Sequence, residues 1–132
     1  MSFIRAIHQR YFDHEANEFT NAILQKQGDG VSVFDAECAE RNSKSICAHL
    51  SRFYPGLVGE PAIYLAIEES EIKGEYSKEQ YPSQSGDECH YDILNWNKGE
   101  KRKFVKQLGL DRFKVCHPDE VAKSLEISDL KK

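Results

Sequence analysis

Apolar residues along the chain alternate in some stretches and recur at helical spacing in others, the pattern of strands interleaved with helices. Phe3, Ile7 and Tyr11 repeat at helical spacing while Ile4, Ala6 and His8 alternate, and we read a short strand there. Asp13 is placed to cap a helix whose apolar stripe is Ala16, Phe19, Thr20, Ile23 and Leu24, ending before Gly28, Asp29 and Gly30. Val31 to Phe34 is β-branched and aromatic and predicts a strand. A second helix follows, with Asn42 or Ser43 as cap, Ile46, Cys47, Leu50, Phe53 and Tyr54 inward, and Pro55-Gly56 as its end.

Ala62 to Ile67 is a nearly unbroken apolar run, the best candidate for a central strand covered on both faces. Residues 73–88 lack periodicity and mix Gly, Pro and Ser with charges, which predicts a long exposed loop. Cys89 to Trp96 alternates again, with Tyr91 and Ile93 on one side and His90, Asp92, Leu94 and Trp96 on the other. Asn97 caps a third helix through Phe104, Val105 and Leu108 that Gly109 closes. Arg112 to Cys116 reads as a short strand, Pro118 to Leu125 as a last helix and 127–132 as a flexible tail. The expectation is one α/β or α+β domain over residues 1–132, with a mixed sheet of about four or five strands under about three or four helices.

The length of 132 residues suits a single core. No apolar run approaches the roughly 20 residues of a membrane-spanning helix, and the first residues lack the pattern of a signal peptide. A cytoplasmic location is therefore expected, and because Cys38, Cys47, Cys89 and Cys116 are widely spread in a chain long enough to fold without staples, so are reduced thiols and no disulfide. Zinc sites bring ligands in closely spaced pairs, and Cys47 with His49, Cys89 with His90 and Cys116 with His117 do not form such a pattern, so neither a metal nor another cofactor is expected.

The net charge of −4 argues against coating nucleic acid or an anionic membrane. Its distribution is uneven. Residues 60–92 carry nine acidic groups against Lys73 and Lys78, a balance of −7, whereas residues 98–114 carry seven basic groups against Glu100 and Asp111, a balance of +5. Tyr64, Tyr76, Tyr81 and Tyr91 lie among the carboxylates, a composition suited to steered capture of a basic partner. The basic stretch offers Lys101, Arg102 and Lys106 for a phosphate near a helix start.

Acid–base chemistry has one focus. His90 and Asp92 stand two apart on a strand and so share a face, which lets the carboxylate orient the imidazole. Ser32 and Arg5, on other strands, would join them if those strands are neighbours. There is no G-x-S-x-G elbow, P-loop, G-x-G-x-x-G or H-E-x-x-H. Asp13-His14-Glu15 echoes half of a deaminase signature without its cysteine pair, and Glu68, Glu69 and Glu71 cluster after a strand end as solvated carboxylates do.

Two functions follow from these features. The first is a small cytoplasmic inhibitor or immunity-type protein that engages a basic macromolecule through Glu68, Glu69, Glu71, Glu75, Tyr76, Tyr81 and Tyr91. The alternative is a small enzyme acting on a phosphate-containing substrate, a nucleotide or RNA, with His90 as acid–base group, Asp92 orienting it, Ser32 beside it, and Arg5 or the basic helix holding phosphate. An enzyme would gather its polar groups in a concavity, whereas a binding module would present a flat or convex patch.

Overall fold

The β-branched stretches do pair, but into a larger and simpler sheet than the sequence suggests. The computed structural model describes residues 1–25, 30–55 and 61–130. Its strands are β1 (Ser2–Ile7), β2 (Phe12–Asp13), β3 (Glu18–Phe19), β4 (Gly30–Asp35), β5 (Ala62–Glu68), β6 (Ser77–Gln80), β7 (His90–Leu94), β8 (Phe113–Cys116) and β9 (Ala122–Ser124). Seven of them form one sheet in the order β6-β7-β4-β1-β5-β8-β9, and every neighbouring pair is antiparallel. The expected mixed sheet of fewer strands is therefore wrong, and the fold is sheet-dominated α+β. The α-helices among the described residues are α1 (Ala36–Ser43), α2 (Ile46–Phe53) and α3 (Lys98–Lys106).

β1 lies at the centre, with Ile4 opposite Phe34 of β4 and Ala66 of β5. Strand alternation then sorts the core into two layers. Phe3 and Ile7 join Val31, Val33, Ile63, Leu65, Ile93 and Phe113 under the β2-β3 hairpin and α3. Ile4, Phe34 and Tyr64 face the other way, against Ala39, Cys47 and Leu50 of α1 and α2. A sheet covered on both faces explains the unbroken apolar run of β5.

Four sequence expectations are corrected. The stripe from Ala16 to Leu24 is not a helix: Phe19 pairs with Phe12 across the β2-β3 hairpin, Asn17 turns the chain with φ 55°, and Asn21–Leu24 is a single 3-10 turn. Ala16 and Thr20 are exposed, so no continuous apolar face exists there. The last helix is also absent. Glu120 adopts φ 65°, Val121 is exposed, and Ala122–Ser124 returns as β9 beside β8. Trp96 does not share the His90 face, because Asn95 at φ 60° breaks the alternation and sends the indole to Phe104, 5.6 Å away between ring centres. The second helix is capped by Ser45, whose hydroxyl accepts from the Ala48 amide, and the expected cap residues Asn42 and Ser43 belong to α1. Asn97, by contrast, caps α3 as its position implies, accepting from the Glu100 amide.

Within 73–88 the residues of β6 are all exposed yet hydrogen-bonded to β7, so the segment carries a strand. Near the C-terminus Ile127–Asp129 forms a 3-10 turn and Leu130 is buried. Gly28, Asp29 and Gly56 lie outside the described residues.

The thiols are not free. Cys38 is bonded to Cys89 and Cys47 to Cys116, tying α1 to the start of β7 and α2 to β8. Spacing along the chain hides this pairing, since the partners stand 51 and 69 residues apart and only the antiparallel sheet brings them together.

Candidate functional site

β4 and β7 are neighbours, with Ser32 opposite Asp92 and Phe34 opposite His90. The even-numbered residues of both strands point to the same face, so Ser32, His90 and Asp92 converge. Ser32 Oγ lies 2.7 Å from His90 Nε2, and Asp92 Oδ1 lies 3.3 Å from the same nitrogen. The other ring nitrogen, Nδ1, is 3.2 Å from the Tyr81 carbonyl oxygen. A carbonyl only accepts, so in the neutral ring Nδ1 carries the proton and Nε2 presents its lone pair to the Ser32 hydroxyl. The Tyr81 hydroxyl donates to Asp92 Oδ2, fixing that carboxylate beside the ring. His90 and Asp92 are buried while Ser32 is half-buried.

These groups line a cavity of about 450 Å³ together with Phe53, Tyr54, Ser83 and Ser85. Ser32 and Tyr54 also form part of the wall of a second hollow, which adds Arg5, His8, Arg10 and Tyr11. Arg5 is thus near Ser32, as the sequence allows, but its charge is committed. Nε donates to the Ile23 carbonyl at 2.9 Å, Nη1 to the Ser32 carbonyl at 2.8 Å and Nη2 to the Gln25 carbonyl at 3.3 Å. Burial lowers its pKa from the ordinary arginine value, against the opposing influence of Tyr11 and Asp92. Arg10 is exposed, lines the same hollow, donates to the Tyr11 hydroxyl at 2.8 Å and sets its guanidinium over the Tyr11 ring, 4.9 Å from the ring centre.

The other site residues named from sequence do not join this group. Lys101 and Arg102 line a separate cavity with Trp96, Asn21 and Gln25, and Lys106 is exposed at the end of α3. The acidic middle segment is largely engaged within the chain. Glu71 takes two bonds from Arg112, at 2.8 and 3.0 Å, and its pKa settles below the ordinary value, since burial pushes it up but Arg112, the Glu68 amide and Lys73 together outweigh that. Glu69 accepts from the Tyr76 hydroxyl at 2.6 Å and from Lys78 at 3.0 Å, which holds its pKa low and pushes the Tyr76 phenol up to about 12. Glu68 and Glu75 are exposed, Tyr91 is half-buried, and Tyr81 is turned to Asp92.

Sequence reasoning missed a second, fully buried polar group on the same sheet face. His49 Nε2 lies 2.8 Å from Asp87 Oδ1, its Nδ1 is 2.9 Å from Ser43 Oγ, and the Tyr54 hydroxyl donates to Asp87 Oδ2. Burial pushes the Asp87 carboxyl up, but bonds from His49, Tyr54 and the Cys89 amide overcome this and leave its pKa below the ordinary range. The Tyr54 phenol is strongly raised by burial and by the adjacent carboxylate. Thirty-eight residues separate His49 from Asp87, and Asp87 sits in a stretch without periodicity, so no local spacing signals the pair. The ligand atoms of His49, Asp87 and Cys89 all fall within 4.8 Å of one another.

Comparison with protein-family models, curated proteins and solved structures gives no match, so the functional reading rests on the geometry of the site itself.

Proposed function

We propose that the chain is a small enzyme that cleaves a phosphate ester, with Ser32 as nucleophile and His90 as the base that activates it. The observation carrying this reading is the 2.7 Å contact between Ser32 Oγ and His90 Nε2, within a concave site. As Ser32 attacks phosphorus, its proton passes to Nε2 and the leaving oxygen departs with the electron pair of the broken P–O bond. Asp92 then faces the imidazolium at short range and stabilises the charge that has appeared. The imidazolium gives that proton to the leaving oxygen; a water then loses a proton to His90 and attacks phosphorus, and the Ser32 oxygen leaves with the electron pair of its P–O bond and takes the proton back. Arg10, on the wall shared at Ser32, supplies the cation for the phosphate in place of the committed Arg5, and His8, whose Nδ1 accepts from the Arg10 amide, adds a neutral ring N–H donor.

The test is turnover of nitrophenyl phosphate mono- and diesters and of nucleotides by the purified chain. Ser32→Ala and His90→Gln should each lower kcat at least ~100-fold, the usual scale of a lost nucleophile or base. Wild-type turnover that survives both changes, or no turnover on any phosphate ester, sinks the reading.

Capture of a basic macromolecule remains a second reading, supported by one observation. β6 is an edge strand with all of its residues exposed, flanked by the exposed Glu75. Glu75→Lys should then weaken capture of a basic protein and flatten its salt dependence, because its carboxylate is exposed beside β6. Among the described residues no helix is long and apolar enough to cross a membrane. The cytoplasmic placement expected from the first residues sits poorly with two bonded cysteine pairs, which suit an oxidising compartment better.

A further inference from the structure

The buried group around His49 has a shape that packing alone does not require. A neutral core would be at least as stable with apolar residues in place of a buried ionisable pair. Here His49 and Asp87 are both wholly inaccessible, and Cys89 Sγ completes a triangle of ligand atoms within 4.8 Å. Cys38 lies outside that triangle, but its sulfur is bonded to that of Cys89 and is the further sulfur donor at hand. We propose that this cluster is a redox-gated zinc site: closed while the Cys38–Cys89 disulfide stands, and opened as a Cys2HisAsp ligand set when a dithiol reduces it.

The chemistry balances. Two electrons and two protons from the dithiol, itself oxidised to a disulfide, break the S–S bond and leave two thiols. Zinc then displaces the thiol protons to solvent and takes two thiolates, one imidazole and one carboxylate, a donor set that favours a borderline metal in tetrahedral geometry. Bond lengths of about 2.0–2.3 Å put tetrahedral ligand atoms roughly 3.3–3.8 Å apart. The 4.8 Å triangle must therefore tighten by about 1 Å, while the 2.8 Å His49–Asp87 contact opens by about 0.5 Å to admit the ion.

What directs the inference to a metal is the ring of groups behind each ligand. Metal-bound histidines donate their remaining N–H to an oxygen, and bound carboxylates are themselves held by hydrogen bonds. Ser43 Oγ lies 2.9 Å behind His49 Nδ1, and the Tyr54 hydroxyl already grips the Asp87 oxygen that faces away from His49. Asn42 Nδ2 stands 3.5 Å from Cys89 Sγ and 3.7 Å from Cys38 Sγ, positioned to donate to both sulfurs once they are thiolates. Each of the four ligands thus has an outer partner in place.

Cobalt(II) is the probe, since its tetrahedral thiolate complexes absorb in the visible and near ultraviolet. The full-length protein, reduced with a phosphine and freed of metal, should take up about one cobalt per chain with sulfur-to-metal charge-transfer bands, displaced by zinc; the unreduced protein should take up none. Cys89→Ser and Asp87→Asn should each weaken uptake at least ~10-fold, the scale of a lost ligand or its support. Cys116→Ser, which removes only the other disulfide, should bind like the reduced wild type. Should reduction unfold the chain, zinc must restore its far-ultraviolet circular dichroism. Reduced protein without uptake, uptake undiminished in Cys89→Ser, or an unfolded reduced chain that zinc does not rescue each overturns the proposal.

Discussion

Replacing Cys47 and Cys116 together by alanine removes the bond that ties α2 to β8. The bond closes a loop with a sequence separation of 69 residues, and through the other disulfide the shortest closed path is about 36 residues. Loop-closure entropy for either length corresponds to about 4 kcal/mol at 25 °C. Such a loss is comparable to the whole stability of many domains of this size, which runs from about 5 to 15 kcal/mol. With a guanidinium m-value of about 4 kcal/mol/M, the denaturation midpoint should fall by about 1 M. The assay is equilibrium unfolding of both proteins without reductant, followed by fluorescence of Trp96, which is buried beside Phe104. A fall below about 0.2 M would mean that the unfolded chain is not restrained by this bond. Titration of about four free thiols in unreduced, denatured wild type would refute the pairing itself.

Further tests address the polar framework. Arg5→Met should cost about 3 kcal/mol in the same unfolding assay, because it strands the carbonyls of Ile23, Gln25 and Ser32; a loss under about 1 kcal/mol would mean water replaces the guanidinium. Glu71→Gln should lower Tm at neutral pH and have progressively less effect in acid. The sign follows from its depressed folded pKa: the stabilisation is complete above the unfolded glutamate value near 4.3 and is lost as pH falls through the lower folded value. A Tm difference that grows in acid would reverse that assignment. Asn97→Ala should cost about 1 kcal/mol by removing the α3 cap, and a neutral result would show the cap to be dispensable.

The strands that position Ser32, His90 and Asp92 were legible in the sequence because their alternation is intact from Val31 to Phe34 and from His90 to Ile93. Period-two reasoning put His90 and Asp92 on one face, and antiparallel pairing of β4 with β7 supplied what the sequence lacked, the placement of Ser32 opposite. Failures arose where a single residue with positive φ reverses the chain. Asn17, Asn95 and Glu120 each turn the backbone within a stretch whose apolar spacing mimics continuity. α1 was missed for another reason: Ala-Glu-Cys-Ala-Glu-Arg-Asn-Ser has little apolar content, and its two buried alanines give no strong stripe. His49, Asp87 and the cysteine pairs are long-range juxtapositions, set by the packing of α1 and α2 on the sheet and not by any local pattern.

The two disulfide loops interleave: Cys38 and Cys47 both precede the 73–88 segment, and Cys89 and Cys116 both follow it. Every peptide bond between Cys47 and Cys89 is therefore spanned twice by sulfur. A protease that nicks the exposed Lys73 or Lys78 makes two fragments that stay tethered at two points. Cut protein would migrate as one species until reduced, and it would keep β4, β7 and the groups they carry side by side. Scission in this stretch is thus uncoupled from dissociation.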